Sequence, residues 1–522
     1  MTVVEDALPE DLAALKALVL AQRQALAEKD QTLARKTAEI EHLQAQLNLL
    51  LAKRFGPSSE KVSADQLRLF NEAEQDAGEP EPPQLLSVPS HTRRAGGRRP
   101  LPEALPRIAV IHELAEAERI CPHDGTPLEV IGEETSEQLD IIPAQVRVIR
   151  HIRRKYACPC CEGHVVTAPL PAQPVPKSLA SPGTLAWVAT AKYADGLPLH
   201  RQEAILARAG IELPRATLAI WMIKLGEDLI VPLITLLRER LLAYDIVQMD
   251  ETTVQVLNEP NRAASAKSYM WVTRGGPPEQ AIVLYEYAPT RGAEVPLRLL
   301  EGFRGYLQTD GYEGYNAVAS TGAVIGIGCF AHARRKFDEA LKAYGKAATA
   351  KGGRAQQGLD FIRALYRVEQ RARDLPPEER RALRLEQAQP ILDHLRAWLD
   401  TALPEVPPAT PTGKALGYLD SQWPRLVRYL EDGRLAIDNN ACENAIRPFV
   451  IGRRNWLFSD TVRGAKASAN LYSLIETAKA NGLEPYRYLR HIFTELPKAA
   501  TVEDVEALLP TRELAARLND TS

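Results

Sequence analysis

The sequence predicts a multidomain α+β protein, on three observations. The first fifty residues carry a heptad repeat, a pair of cysteine knuckles brackets an alternating segment, and a strand-rich stretch from Tyr244 to Cys329 gives way to helical sequence. At 522 residues the chain exceeds one core, and length alone points to roughly three or four domains. Apolar residues make up 45% and charged residues 25%, with a formal charge of -3. That balance excludes a globally basic nucleic-acid coat, so any polynucleotide contact must come from local patches. No apolar run approaches the ~18 residues of a membrane span, and the start, MTVVEDALPEDL, is acidic where a secretory signal is positive. The expected location is the cytoplasm.

Residues 1–56 read as a leucine-zipper coiled coil. Leu12, Val19, Leu26, Leu33, Ile40 and Leu47 recur every seventh residue, with Leu15, Leu43 and Leu50 on the companion seam. Gln22, Lys29 and Lys36 make the middle of that seam polar, which costs stability and fixes register. Self-association follows, with one amphipathic helix folded on its own protein as the alternative. Gly56 and Pro57 stop the helix. Residues 57–107 hold a short helix near Asp65–Glu74 and a Pro/Gly-rich linker with Arg93, Arg94, Arg98 and Arg99.

Residues 108–168 read as a small zinc-ribbon-like β module. Val146–Tyr156 alternates apolar and polar side chains, and the knuckles are Cys121-Pro-His-Asp124 and Cys158-Pro-Cys-Cys161. Structural Zn²⁺ takes four ligands in a tetrahedron. Cys121, Cys158 and Cys161 with either Asp124 or His123 close it, Cys160 and His164 being substitutes. The second knuckle is a clean CxxC; in the first, Asp124 stands where a cysteine would complete the pair. Residues 169–241 are helical by periodicity, and His200–Met222 has helix-turn-helix spacing. Gly210 permits the turn there, and Arg215 and Thr217 open the second helix towards a DNA groove. A plain helical hairpin has the same signature.

From Tyr244 three strands follow one another, at Ile246–Val256, Ser268–Thr273 and Ala281–Tyr287. A helix, a strand ending at Asp310, a short helix, a strand at Ala323–Cys329 and a helix from His332 complete the run. That order is the order of a ribonuclease-H-like fold. Residues 242–339 and 433–480 are assigned to this α/β catalytic core, 340–432 to a helical insertion, and 481–522 to a C-terminal helical tail.

Asp250, Asp310 and Glu443 fall where this order needs carboxylates: on the first strand, just after the fourth, and on the last core helix. Cutting a polynucleotide backbone means neutralising charge on attacking and leaving oxygens, work done by two Mg²⁺ roughly 3.5–4 Å apart. Such ions want hard oxygen ligands, so three carboxylates, Asp250 bridging, are a sensible minimum. Singly each acid has a duller reading: Asp250 as one of several neighbouring acids, Asp310 as a turn residue in TDGY, Glu443 as the far end of a capping box with Asn440. Arg334, Arg335 and Lys336, with Arg447, Arg453 and Arg454, supply basic surface for a DNA substrate. His332 is placed to orient a phosphate or protonate a leaving oxygen, or to serve as a hydrogen-bonded helix-start histidine.

Arg54-Phe-Gly56, Ser58-Ser-Glu-Lys61, Gln66-Leu-Arg-Leu-Phe-Asn-Glu72, Thr309-Asp-Gly-Tyr312, Ala331-His-Ala-Arg-Arg-Lys-Phe337 and Asp438-Asn-Asn-Ala-Cys-Glu-Asn-Ala-Ile-Arg-Pro448 together resemble the insertion sequence 66 (IS66) family of bacterial transposases. The resemblance implies a DDE transposase with Asp250, Asp310 and Glu443 as its triad. Such an enzyme binds the terminal inverted repeats of its element, nicks DNA to expose a 3′-hydroxyl, and joins that end to target DNA using Mg²⁺. It also implies accessory transposition proteins as partners and a place on the bacterial nucleoid. Asp124 departs from the family's usual cysteine. Two rival readings fit the same modules: a non-catalytic DNA-binding regulator built from the N-terminal modules, and a nuclease that cuts without joining.

Overall fold

In the computed structural model the described residues are Lys16, 20–26, Glu28, Lys29, Lys36, 146–157, 165–344 and 353–520. The chain divides into two compact units, Glu60–Ile152 and Met1–Ser59 with Arg153–Ser522. In the first, residues 146–152 are described and carry no regular secondary structure. In the second, every described residue up to Lys36 is helical, with Leu26 on the heptad seam exposed. The zinc-knuckle residues Cys121, His123, Asp124, Cys158, Cys160, Cys161 and His164 lie outside the described residues.

β1 (Lys155–Ala157) and β2 (Val165–Thr167) form an antiparallel hairpin. It is shorter than the alternation of Val146–Tyr156 suggests, because a strand persists only where a partner meets its backbone groups, and β2 offers three residues. Four helices follow: α1 (Pro182–Tyr193), α2 (Leu199–Arg208), α3 (Arg215–Lys224) and α4 (Val231–Leu242). Ser181 caps α1 by accepting the Thr184 N–H. Between α2 and α3 the chain reverses at Gly210, whose φ of +77° is costly for any residue with a Cβ. A π-helical turn, Leu225–Leu229, prolongs α3.

The sheet contains β3 (Ile246–Asn258), β4 (Lys267–Gly275), β5 (Ile282–Ala288), then, after α5 (Glu294–Leu299), β6 (Gly305–Gln308), and after α6 (Asn316–Ala319), β7 (Val324–Ile327). Its order is β5-β4-β3-β6-β7, antiparallel on the β5 side of β3 and parallel on the other. After β7 come α7 (Phe330–Tyr344), α8 (Arg354–Ala372), α9 (Pro377–Leu383), α10 (Gln389–Glu405) and α11 (Pro411–Leu426). These helices have their own core, in which Phe330 and Phe337 of α7 meet Ile362, Leu365, Leu395 and Leu416. Arg384, buried in that core, is held by both oxygens of Glu369 and by the Tyr429 carbonyl.

The chain then returns to the sheet through α12 (Asn440–Trp456), β8 (Ser459–Thr461), α13 (Val462–Ala480), α14 (Pro485–Glu495), α15 (Val502–Glu506) and α16 (Arg512–Asp520). An edge strand leaves backbone groups unpaired, and α13 satisfies those of β5. Ser473 and Thr477 accept the N–H groups of Tyr285 and Val283 at 2.7 and 3.0 Å, and Asn481 donates to the Ala281 carbonyl at 2.8 Å. The spacing i, i+4, i+8 keeps all three on one helix face. Among the described residues no helix is long and apolar enough to cross a membrane.

Candidate active site

The sheet register aligns the first two acids. β3 and β6 are parallel with Gln248 opposite Gln308, and their side chains share a buried hydrogen bond of 2.8 Å. Gln308 also donates to the carbonyls of Gly328 and Ala436, tying both strands to β7 and to the segment before α12. Asp250 and Asp310 each lie two residues beyond this pair, so the register carries them out on neighbouring strand tracks, which run roughly 4.8 Å apart. Alternation along β3 turns Asp250 to the face opposite Val247 and Met249, both fully buried.

Glu443 arrives through the start of α12. Asn439, fully buried, donates its side-chain amide to the Met249 carbonyl at 2.9 Å, and its backbone N–H to Cys329 Sγ at 3.2 Å. Cys442 Sγ lies 3.7 Å from the carbonyl of Val272, the residue paired with Asp250 across the sheet. The first turn of α12 is thereby docked beside Asp250. The Glu443 carboxylate is directed at α7, with Oε1 3.6 Å from His332 Nδ1 and Oε2 3.5 Å from Arg335.

These placements make one electrostatic cluster. Burial, with added repulsion from Glu251, Asp310 and Glu443, pushes the Asp250 carboxyl up to about 8, although the Glu251 N–H it accepts at 2.8 Å opposes the shift. Burial pushes Glu251 up as well, against the pull of Tyr315 and Arg291. For His332 burial is the larger effect and lowers its pKa despite Glu443, so the imidazole is neutral near pH 7. Cys329, Sγ within the same group as His332 and Glu443, is a buried thiol pushed up to about 12. The side-chain atoms His332 Nδ1 and Glu443 Oε1 are buried without a hydrogen-bond partner.

Three neighbours of these acids, Arg291, Tyr315 and Tyr418, had no signal in the sequence. Glu251, its side chain almost fully buried, is gripped by Arg291 and by the Tyr315 hydroxyl. Arg291 lies 3.9 Å from the Asp310 carboxylate and 3.7 Å above the Tyr312 ring. The Asp310 Oδ1 accepts the Tyr312 N–H at 2.8 Å, and its carbonyl accepts the Tyr418 hydroxyl at 2.7 Å. Arg291 sits in the loop after β5 with no motif around it, and Tyr418 comes from α11, about a hundred residues from the acid it touches.

Of the basic residues singled out in the sequence, Arg335 is beside the acids. Lys336 is exposed next to it on α7, and Arg334 is partly buried. Arg447 and Arg454 are exposed on α12, and Arg453 turns inward to Thr252 and Thr253 of β3 at 3.1 and 3.2 Å. Arg215 opens α3, exposed, its N–H accepted by Glu203 at 3.0 Å. The rest of α3 and its π-helical turn pack on α13: Asn470 donates to the Gly226 carbonyl at 2.8 Å, and a Cβ on Gly226 would lie 2.6 Å from Ala467 backbone atoms.

The family model described as Transposase IS66 family matches residues 177–467, more than half of the chain. Flanking matches are to the zinc-finger binding domain of transposase IS66 at 118–162, the IS66 C-terminal element at 473–511, and Transposase C of IS166 homeodomain at 42–110. The uncharacterized protein y4qI of Sinorhizobium fredii is 33% identical over 536 residues, covering 96% of this chain and 97% of that protein. The uncharacterized proteins y4jD and y4hP of the same organism are 33% and 30% identical, covering 78% of this chain in each case and 81% and 76% of their own lengths. No solved structure matches the chain. The match across the sheet, helices α7 to α11 and α12, flanked by the zinc-finger and C-terminal matches, establishes that this chain belongs to the IS66 family of transposases.

Proposed function

We propose that the protein is a DDE transposase that binds the terminal inverted repeats of its element, cuts there, and joins the exposed 3′ end to target DNA. The observation that carries this reading is the convergence of Asp250, Asp310 and Glu443. The Gln248–Gln308 register aligns two of them, the Asn439–Met249 bond brings the third, and Asp250, raised mainly by burial, is raised further by Glu251, Asp310 and Glu443. A mixed sheet whose path has two antiparallel and two parallel strand pairings, the acids at its centre, supports the ribonuclease-H-like assignment.

The three carboxylates are the hard oxygen donors that Mg²⁺ takes. A carboxylate pushed up by burial and further by neighbouring carboxylates, and a buried Glu443 oxygen without a hydrogen-bond partner, are what an acid site looks like before divalent cations balance it. Asp250, Asp310 and Glu443 would hold the ions. Bound there, they supply activation of the attacking oxygen and charge neutralisation on the leaving one. The chain's own part is positional: Tyr312 N–H fixes one Asp310 oxygen, α12 aims Glu443, and the exposed Lys336, Arg447 and Arg454 hold phosphates. On the same reading Arg215 and the α2–α3 hairpin contact terminal DNA. Zn²⁺ would be held by Cys121, Asp124, Cys158 and Cys161, within the span that matches the zinc-finger model. The helical N-terminal residues pair with another copy through an exposed seam that includes Leu26.

The test is an assay of terminal-repeat DNA with Mg²⁺. A regulator binds only, a nuclease cuts without joining, and a transposase cuts and joins. Asp250→Asn, Asp310→Asn and Glu443→Gln are each expected to lower both reactions by about a thousandfold or more while binding persists. Cutting at the wild-type rate in any of them removes that residue from the site.

A further inference from the structure

α12 carries more than an acid. Its exposed positions Arg447, Ile451 and Arg454 are spaced by four and three residues, so they form one stripe along the helix. The helix ends in a corner made of Leu457 and Phe458, which are 64% and 43% exposed, next to Ile451 at 46%. Leu457 has φ +67° and ψ −51°, a backbone state that a residue with a Cβ adopts only at a cost.

The corner is held from both sides. Leu457 N–H is accepted by the Arg453 carbonyl at 2.7 Å and Phe458 N–H by the Trp456 carbonyl at 2.9 Å. Directly after it, β8 pairs with the far half of β3, Ser459 opposite Val256 and Thr461 opposite Asn258. Thr461 then caps α13 by accepting the Gly464 N–H at 3.1 Å. Two large apolar side chains are thus presented to solvent by a rigid, strained turn. Core packing does not require this, since neither side chain is buried.

Charge selects the partner. Arg454 is exposed next to the corner, and Arg463 beyond β8 has 65% of its side chain exposed, 3.8 Å from Asp228. Asp460 is the acid of the corner itself, and its Oδ1 accepts the Asn258 amide at 2.8 Å. From Glu443 to Leu457 the helix rises about 21 Å, which matches about six base pairs of duplex.

We propose that the Leu457–Phe458 corner is a wedge that stacks against an opened base step of the DNA flanking the cleaved bond, with the Arg447–Arg454 face of α12 following the phosphates between. The proposal deepens the transposase reading and rests on it. Apolar side chains inserted at a base step unstack it, and aromatic stacking is tolerant of sequence. A corner that precedes the scissile bond by a fixed helix length would hold the strand end in place while the acids act on it.

The experiment uses the full-length protein and a terminal-repeat duplex with 2-aminopurine placed at successive positions on either side of the cleavage site. Ca²⁺ replaces Mg²⁺, so that binding is read without cutting. The expected result is a fluorescence rise of roughly twofold or more at one step, lost in Phe458→Ala and in Leu457→Gly. The glycine change relieves the backbone strain, so folding is preserved, and thermal unfolding checks it. With Mg²⁺, both variants cut the intact duplex about tenfold more slowly. A substrate mismatched at that step restores the rate. A fluorescence rise that persists in both variants overturns the proposal, as does a mismatch that fails to rescue, or a loss of dimer in place of a loss of fluorescence. If wild type unstacks the step in Ca²⁺ but never cuts in Mg²⁺, the wedge stands and the transposase reading falls.

Discussion

The Asn439 side-chain amide donates to the Met249 carbonyl at 2.9 Å, inside a fully buried contact. Through it the start of the Glu443 helix is registered against the residue preceding Asp250. Asn439→Ala leaves that carbonyl without its donor, and the expected loss is about 2 kcal/mol of stability. Asn439→Asp places an acceptor against an acceptor and is expected to cost more. Urea unfolding ranks the three proteins, and an unchanged midpoint in both variants would show that the contact does not hold the helix.

Arg291 and Glu251 form a second support, and breaking it from one side should be worse than removing it whole. Arg291→Ala strands a carboxylate whose side chain is 1% exposed; about 2 kcal/mol is expected, the partial exposure of the arginine moderating it. Adding Glu251→Gln should recover at least half of that loss. A double variant no more stable than Arg291→Ala contradicts this account of the pair.

The Asp250 carboxyl makes metal-free stability depend on pH. Its folded pKa, about 8, stands above the ordinary value of 3.8. The folded protein therefore keeps its proton where the unfolded chain has released it. The contribution is complete below the ordinary value and is lost as pH rises through the folded one. Between about pH 5 and about pH 8 the slope from this group is on the order of 1 kcal/mol per pH unit. Unfolding in a chelator at several pH values should show it in wild type and not in Asp250→Asn. Excess Mg²⁺ should flatten the wild-type curve, because bound cations take the place of the proton.

Gly226 lets the π-helical turn after α3 approach α13. In Gly226→Ala the new Cβ would meet Ala467 backbone at 2.6 Å, and backbone cannot swing aside as a flexible side chain does. About 3 kcal/mol of destabilisation is expected from this overpacking. Limited proteolysis should show the helical hairpin of α2 and α3 cut earlier than in wild type, with a lowered Tm. Equal protection in the two proteins would mean that the helices separate at little cost.

The strands and helices of the core were legible because their cues are local. Apolar alternation marks Ile246–Asn258, short apolar runs rich in β-branched and aromatic residues mark Lys267–Gly275 and Ile282–Ala288, and turn residues separate them. The same alternation overran at Val146–Tyr156, where the ladder needs a partner that local sequence does not reveal. Glu443 had a capping-box spacing with Asn440, yet its carboxylate reaches His332 and Arg335 on another helix. Spacing along one helix carries no information about what the neighbouring helix offers.

By itself the sequence determined the order of elements and the family motifs, and it singled out three carboxylates, since each is written in residue type and period. Tertiary structure decided that Glu251 is locked by Arg291 and Tyr315, that Arg453 turns inward while Arg454 does not, and that Leu457 and Phe458 stand out from a rigid corner. These depend on which distant side chain fills the space next to each group. Burial and the field of other charges are properties of the assembled chain, and they set the protonation of Asp250 as surely as its own carboxyl does.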